Sequence, residues 1–119
     1  MDELLAKIAA ETGLEPSIAK IGIGHILAYL KVESDDPAVG KMIAETPGAA
    51  DAVAMAGQDN GDGALGGIMG LGSKLMGLGL DMGQIQIVAR ELVAFAKVQS
   101  DPETVDRALA SVPGLSSFV

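Results

Sequence analysis

The chain has no cysteine and no tryptophan, a single histidine and only three aromatic residues, Tyr29, Phe95 and Phe118. Without cysteine there is no disulfide, thiolate metal site or cysteine nucleophile. With His25 as the lone imidazole, zinc and haem have almost no ligands to draw on. A serine triad would need His25 as its base, yet no Gly-x-Ser-x-Gly elbow is present. Basic residues are also scarce. Eight Lys and Arg against 16 Asp and Glu leave a net charge of −8, and the cations are scattered singly. Counterion release at a phosphate backbone needs clustered cations, so nucleic acid is not an expected partner. The same deficit disfavours docking on anionic lipid. No clean apolar run reaches the roughly 18 residues of a spanning helix. The start, Met-Asp-Glu-Leu-Leu-Ala-Lys, is acidic and amphipathic rather than a basic secretory leader, so a cytoplasmic location is expected.

What remains is a small aliphatic protein. Its 119 residues suit one domain, 1–119, and the 49% hydrophobic content supplies a core. With so few aromatics that core must be Leu, Ile, Val, Ala and Met. Ala and Leu are strong helix formers, so the expected fold is all-α.

Sliding the chain along itself until Gly13 meets Gly79 lays 13–53 over 79–119 without a gap. Thirteen of the paired positions are then identical. They include Gly13-Leu14 with Gly79-Leu80, Ser34-Asp35 with Ser100-Asp101, and Pro47-Gly48 with Pro113-Gly114. Similar composition alone would not put such punctuation in register, so an internal repeat is expected, 13–53 and 79–119. Each unit reads as two helices. In the first, Pro16 opens a helix with Ile18, Ile21, Gly22, Ile26, Tyr29 and Leu30 inward, ending near Val32. Asp36-Pro37 opens a short one with Val39, Met42 and Ile43 inward, closed by Thr46-Pro47-Gly48. In the second, Asp81 caps a helix with Ile85, Val88, Leu92, Phe95 and Ala96 inward. Ser100 to Glu103 has capping-box spacing ahead of Val105, Ala108 and Leu109. An amphipathic helix over Leu4, Leu5 and Ile8, and a turn or two over 49–56, complete a small bundle of six or seven helices.

Between the units lies a Gly-rich connector, 57–78; residues 57–83 hold ten of the 16 glycines. Its first part, Gly57 to Gly63, reads as a polar loop. It fails as a calcium loop, because placing Gly63 centrally puts Gln58 at the first ligand position and Met69 where a bidentate Glu is needed. Its second part, 64–80, is apolar, with Gly63, Gly70 and Gly77 recurring at every seventh position. Glycine costs about 1 kcal/mol per helical site relative to alanine, so this many need a reason. Close packing of backbones, a mobile tether and a membrane-active segment are the three readings, with close packing favoured. Lys74 and the shortness of the segment count against spanning.

Gly67, Gly70, Ser73 and Lys74 lack the Gly-Lys-Ser/Thr order of a phosphate loop. Asp35 and Asp36 sit at a helix start, where carboxylates favour the dipole without catalysis. Leu78-Gly-Leu-Asp81 resembles the prosthetic-group site of acyl carrier proteins, but Met82 stands where those carry serine, and Ser17 falls one place late in the first unit. The Gly-Leu-Asp start, the Pro-Gly close and the Gly/Leu/Met segment before Leu80 resemble the VcgC/VcgE-type bacterial family, a domain of unknown function. The likeness is best over 64–98. It implies a small helical bacterial protein and supplies no functional residues.

The expectation is therefore a non-enzymatic helical interaction module, self-associating as a homodimer or binding another protein, with no cofactor and no metal. The candidate interface is Leu65, Ile68, Met69, Gly70, Met76 and Gly77, since methionine-lined surfaces adapt to apolar partners. The alternative is a carrier of a lipid or small apolar ligand, with its pocket between the repeats. If the glycine stripe is a packing face, Gly70→Leu lowers the melting temperature or the sedimentation coefficient; a variant unchanged in both contradicts it.

Overall fold

The computed structural model describes residues 2–34, 36–58 and 67–112. Seven α-helices fill them, and no strand occurs among the described residues. In chain order they are α1 (Asp2–Thr12), α2 (Pro16–Glu33), α3 (Pro37–Glu45), α4 (Ala49–Gln58), α5 (Gly67–Gly77), α6 (Met82–Gln99) and α7 (Pro102–Ala110). The fold is all-α.

Proline and aspartate set most of the helix starts. Pro16, Pro37 and Pro102 occupy first-turn positions, where the missing N–H costs nothing. Asp36 caps α3 by accepting from the Ala38 amide at 2.9 Å. Asp81 and Gln84 form a reciprocal capping box at α6, with Asp81 Oδ1 accepting from Gln84 N at 2.8 Å and Gln84 Oε1 from Asp81 N at 3.0 Å. The box expected at Ser100 is not formed. Asp101 caps α7 instead, accepting from the Glu103 amide at 3.2 Å, and the Ser100 hydroxyl donates across to Glu45 at 2.6 Å. Proline at 102 fixes this outcome, because it places the first helical residue directly after Asp101.

Glycine sets two of the stops. Gly13 (φ 76°) closes α1 with its N–H on the Ala9 carbonyl, and Gly79 (φ 101°) closes α5. At α5 the Leu80 N–H reaches the Leu75 carbonyl and the Gly79 N–H the Met76 carbonyl, a Schellman pair with both leucines buried.

α2 is the centre of the fold. It packs on α4, α5, α1, α6 and α3. Residues 22–27 of α2 are buried all round. This differs from the expected single face: Ala19, Ile23, Leu27 and Leu30 are buried with Ile26, while Ile18, Ile21 and Tyr29 are half-buried. Two faces are used because α4 covers a second side. The approach there is very close. A Cβ built on Gly24 would lie 1.9 Å from the Ala52 carbonyl oxygen and 2.9 Å from the Ala56 Cβ. Ala49, Ala52 and Ala56 form the facing stripe, all buried. The turn or two expected at 49–56 is thus a ten-residue helix.

The expected connector, 57–78, contains α5, so it is not one loop; residues 59–66 lie outside the described part. The shift that sets Gly13 on Gly79 carries α2 onto α6 end to end, both of 18 residues. It also carries buried positions onto buried positions: Ala19 and Ile85, Ile23 and Ala89, Ile26 and Leu92, Leu30 and Ala96, Val39 and Val105, Met42 and Ala108. It reaches further back than 13–53 and 79–119, bringing α1 onto 68–78, within one position of α5. The Pro113-Gly114 stop lies outside the described residues.

Gly24→Ala is expected to destabilise the chain by about 3 kcal/mol, because a methyl there drives into backbone rather than into a yielding side chain. Gly40→Ala and Gly72→Ala, where a Cβ meets nothing within 4 Å, should instead stabilise by roughly 0.5–1 kcal/mol through helix propensity. Urea titrations of the three variants check both signs.

Candidate functional site

Two surfaces merit description as sites. The first contains the residues singled out from sequence. Leu65 lies outside the described residues, and Ile68 and Met69 are on α5 without described side chains. Gly70 is buried within the chain, beside the buried Leu71. Met76 and Gly77 are exposed at the end of α5. Of the three whose surroundings are described, Gly70 thus lies inside and Met76 and Gly77 outside: α5 turns its Leu71–Leu75 side into the bundle and leaves its end in solvent. Around the Gly79 turn, Met76 is 50% exposed and Met82 46% exposed, with Leu78 half-buried between them. The residues from Leu75 to Leu80 carry no charge, and the neighbouring Asp81 is occupied by the Gln84 amide. Gly77 of the stripe meets nothing within 4 Å, and neither does the neighbouring Gly72, so Gly77 is not a close-packing glycine.

The second surface was not read from sequence. α3 and α7 lie against each other, and their N-terminal ends frame an open cleft of about 320 Å³. Asp36, Lys41, Asp101, Glu103 and Arg107 line it. Arg107 Nε donates to Asp36 Oδ2 at 3.1 Å. The Ala38 amide first, and the Arg107 guanidinium after it, hold the Asp36 carboxyl below the usual carboxylate range. Asp101 accepts from its own helix. The carboxylates that cap α3 and α7 are thereby committed to hold helix starts, and Asp36 is moved away from the range a general acid would need. The signal that could have found the cleft was present: Lys41 and Arg107 are paired when 13–53 is laid over 79–119, and each follows a capping aspartate by a few residues.

Between the hairpins, Ile26, Leu30, Met42, Ala89, Leu92, Val93, Ala96 and Leu109 surround an apolar void of about 10 Å³. Ligand pockets run to roughly 300–1,000 Å³, so this gap is a packing defect in size. His25, expected on a helix face, is 5% exposed inside α2. Among the described residues no group of three or more His, Asp or Glu could hold a metal ion. No helix among them is long and apolar enough to cross a membrane.

Because the folded state lowers the Asp36 pKa, the stabilisation from its ionised form is present above the usual carboxylate range and is lost as pH falls through the lowered value. Asp36→Asn keeps an oxygen for the Ala38 amide and removes the charge. The variant should melt below the parent chain at neutral pH, with the gap closing in acid; a gap that stays constant down to strongly acidic pH contradicts this assignment.

No family model matches the chain, and no curated protein and no solved structure matches it either.

Proposed function

We propose that the chain is a non-enzymatic helical interaction module that self-associates through the α5–α6 corner. The observation that carries this reading is the pair of exposed methionines, Met76 and Met82, on either side of the Gly79 turn, whose one charged residue, Asp81, accepts from the Gln84 amide. At a net charge of −8, two copies repel, so a self-contact is favoured where carboxylates are already engaged and apolar surface is available. Methionine suits such a contact because its unbranched thioether side chain adapts to a varied partner surface. A twofold dimer is the proposed form, being the commonest closed assembly. The proposal takes the chain as a cytoplasmic, bacterial protein of the VcgC/VcgE-type family, on the motifs quoted above. Duplication of a helical unit belongs to the same reading, supported by the agreement of buried positions between the two repeats.

The carrier reading draws less support, because the apolar gap between the hairpins is about 10 Å³.

Met76→Glu with Met82→Glu should convert a dimer to a monomer in sedimentation equilibrium and leave the melting temperature within a few degrees of the parent. Val32→Glu with Val98→Glu makes the same charge change at two other exposed apolar residues, 81% and 80% exposed, and should leave the dimer intact. A parent chain that is monomeric at millimolar concentration rejects the proposal.

A further inference from the structure

The contacts between the first and second halves of the chain follow a pattern of exchange. α1 packs on α6: Lys7 pairs with Glu91 at 2.9 Å, and Gln84 Nε2 donates to the Thr12 carbonyl at 3.1 Å. The helix that the repeat register sets on α1, α5, crosses in the opposite sense onto α2, where the Leu75 and Leu80 side chains lie over Gly22. α1 thus lies on the long helices of both halves, α6 and its own α2, while α5 lies mainly on the long helix of the other half.

The α3–α7 seam repeats the relation in finer detail. The Ser34 hydroxyl, at the end of α2, meets the Ser111 hydroxyl at the end of α7, 2.6 Å apart. The Ser100 hydroxyl, at the end of α6, meets Glu45 at the end of α3, also at 2.6 Å. The repeat register carries Ser34 onto Ser100 and Glu45 onto Ser111, so the two contacts use the same two positions with the halves reversed. Lys41 likewise stands where Arg107 stands; the capping aspartates, Asp36 of α3 and Asp101 of α7, differ by one position in that register, and all four line one cleft. A seam related to itself by a twofold in this way is isologous: each half offers nearly the surface it receives.

The first half holds the close α2–α4 pair, but part of the core is shared between the halves. Ile26, Leu30 and Met42 of the first half and Ala89, Leu92 and Ala96 of the second bury one another. We propose that a second copy of the chain can supply either half, so that the protein forms an exchanged dimer in which α5–α7 of each copy packs on α1–α4 of the other. This rests on the self-association reading and gives it a second surface. Every contact between the halves is then made again between chains.

The chain has no cysteine, so thiols can be placed cleanly. In Ser34→Cys with Ser111→Cys the side chains replace oxygens 2.6 Å apart, within reach of a disulfide. Isotopically light and heavy copies are incubated together at high concentration without denaturant, oxidised, and weighed under denaturing, non-reducing conditions. Exchange yields disulfide-linked light–heavy dimers whose share rises with protein concentration and exceeds that of Ser34→Cys alone, which sets the collision background. In the parent chain the Lys7 amine and the Glu91 carboxylate, 2.9 Å apart, can be joined as an amide by a zero-length carbodiimide, which reads the same exchange at α1–α6 should the cysteine pair disturb the seam. Intrachain links alone, at both places and at every concentration, overturn the exchange. If the parent dimer is then still dissociated by Met76→Glu with Met82→Glu, self-association through the corner stands and exchange alone is rejected.

Discussion

The fold depends on how closely α4 can lie against α2. At Gly24 the partner helix presents backbone, the Ala52 carbonyl, at a distance that leaves no room for a Cβ. Ala49, Ala52 and Ala56 keep the facing side equally thin. The gain is dispersion contact along two backbones, with little side-chain entropy lost, because glycine and alanine have almost none to lose. With α4 seated on one side, the opposite sides of α2 remain available for α1, α5 and α6. A central helix buried from 22 to 27 follows, and so does a core with hardly any aromatic residues.

The sequence made the helix count and the punctuation readable because those depend on local chemistry. Pro16, Pro37 and Pro102 can only start helices here, and Gly13 and Gly79 take a backbone conformation that other residues resist. What it left obscure was decided by tertiary contact. α4 is Ala-rich, so periodic hydrophobicity is weak, and its length became visible only through its partner. The inward side of α2 was read as Ile18, Ile21, Gly22, Ile26, Tyr29 and Leu30; Gly22, Ile26 and Leu30 are buried, but the buried Ala19 and Gly24 went unread, because small residues add little to an apolar stripe. Glycine abundance was a poor guide to close packing. The lone Gly24 has the tight neighbour, while Gly72 and Gly77 have none.

The two candidate surfaces differ in the same way. Met76 could be suspected from sequence because an apolar, uncharged segment is conspicuous in so acidic a chain; Met82, set off from that segment by Asp81, was not. The cleft between α3 and α7 was missed although Lys41 and Arg107 hold matching places, since its charges come from opposite halves of the chain and each, taken singly, looks like an ordinary cap or a solvated cation. Their convergence is a property of how the halves meet. It leaves a surface whose charges largely answer one another, as in Arg107 with Asp36.

Gln84 shows how much one side chain can couple. Its amide oxygen completes the cap of α6, and its amide nitrogen holds the last carbonyl region of α1 through Thr12. The two ends of one planar group therefore join a start to a stop. Slow hydrolysis of that amide to a carboxylate, a common form of chemical ageing in proteins, would preserve the acceptor and delete the donor. α6 would begin where it does now, while α1 would lose one of its ties to the second half, with Lys7 and Glu91 left to hold it.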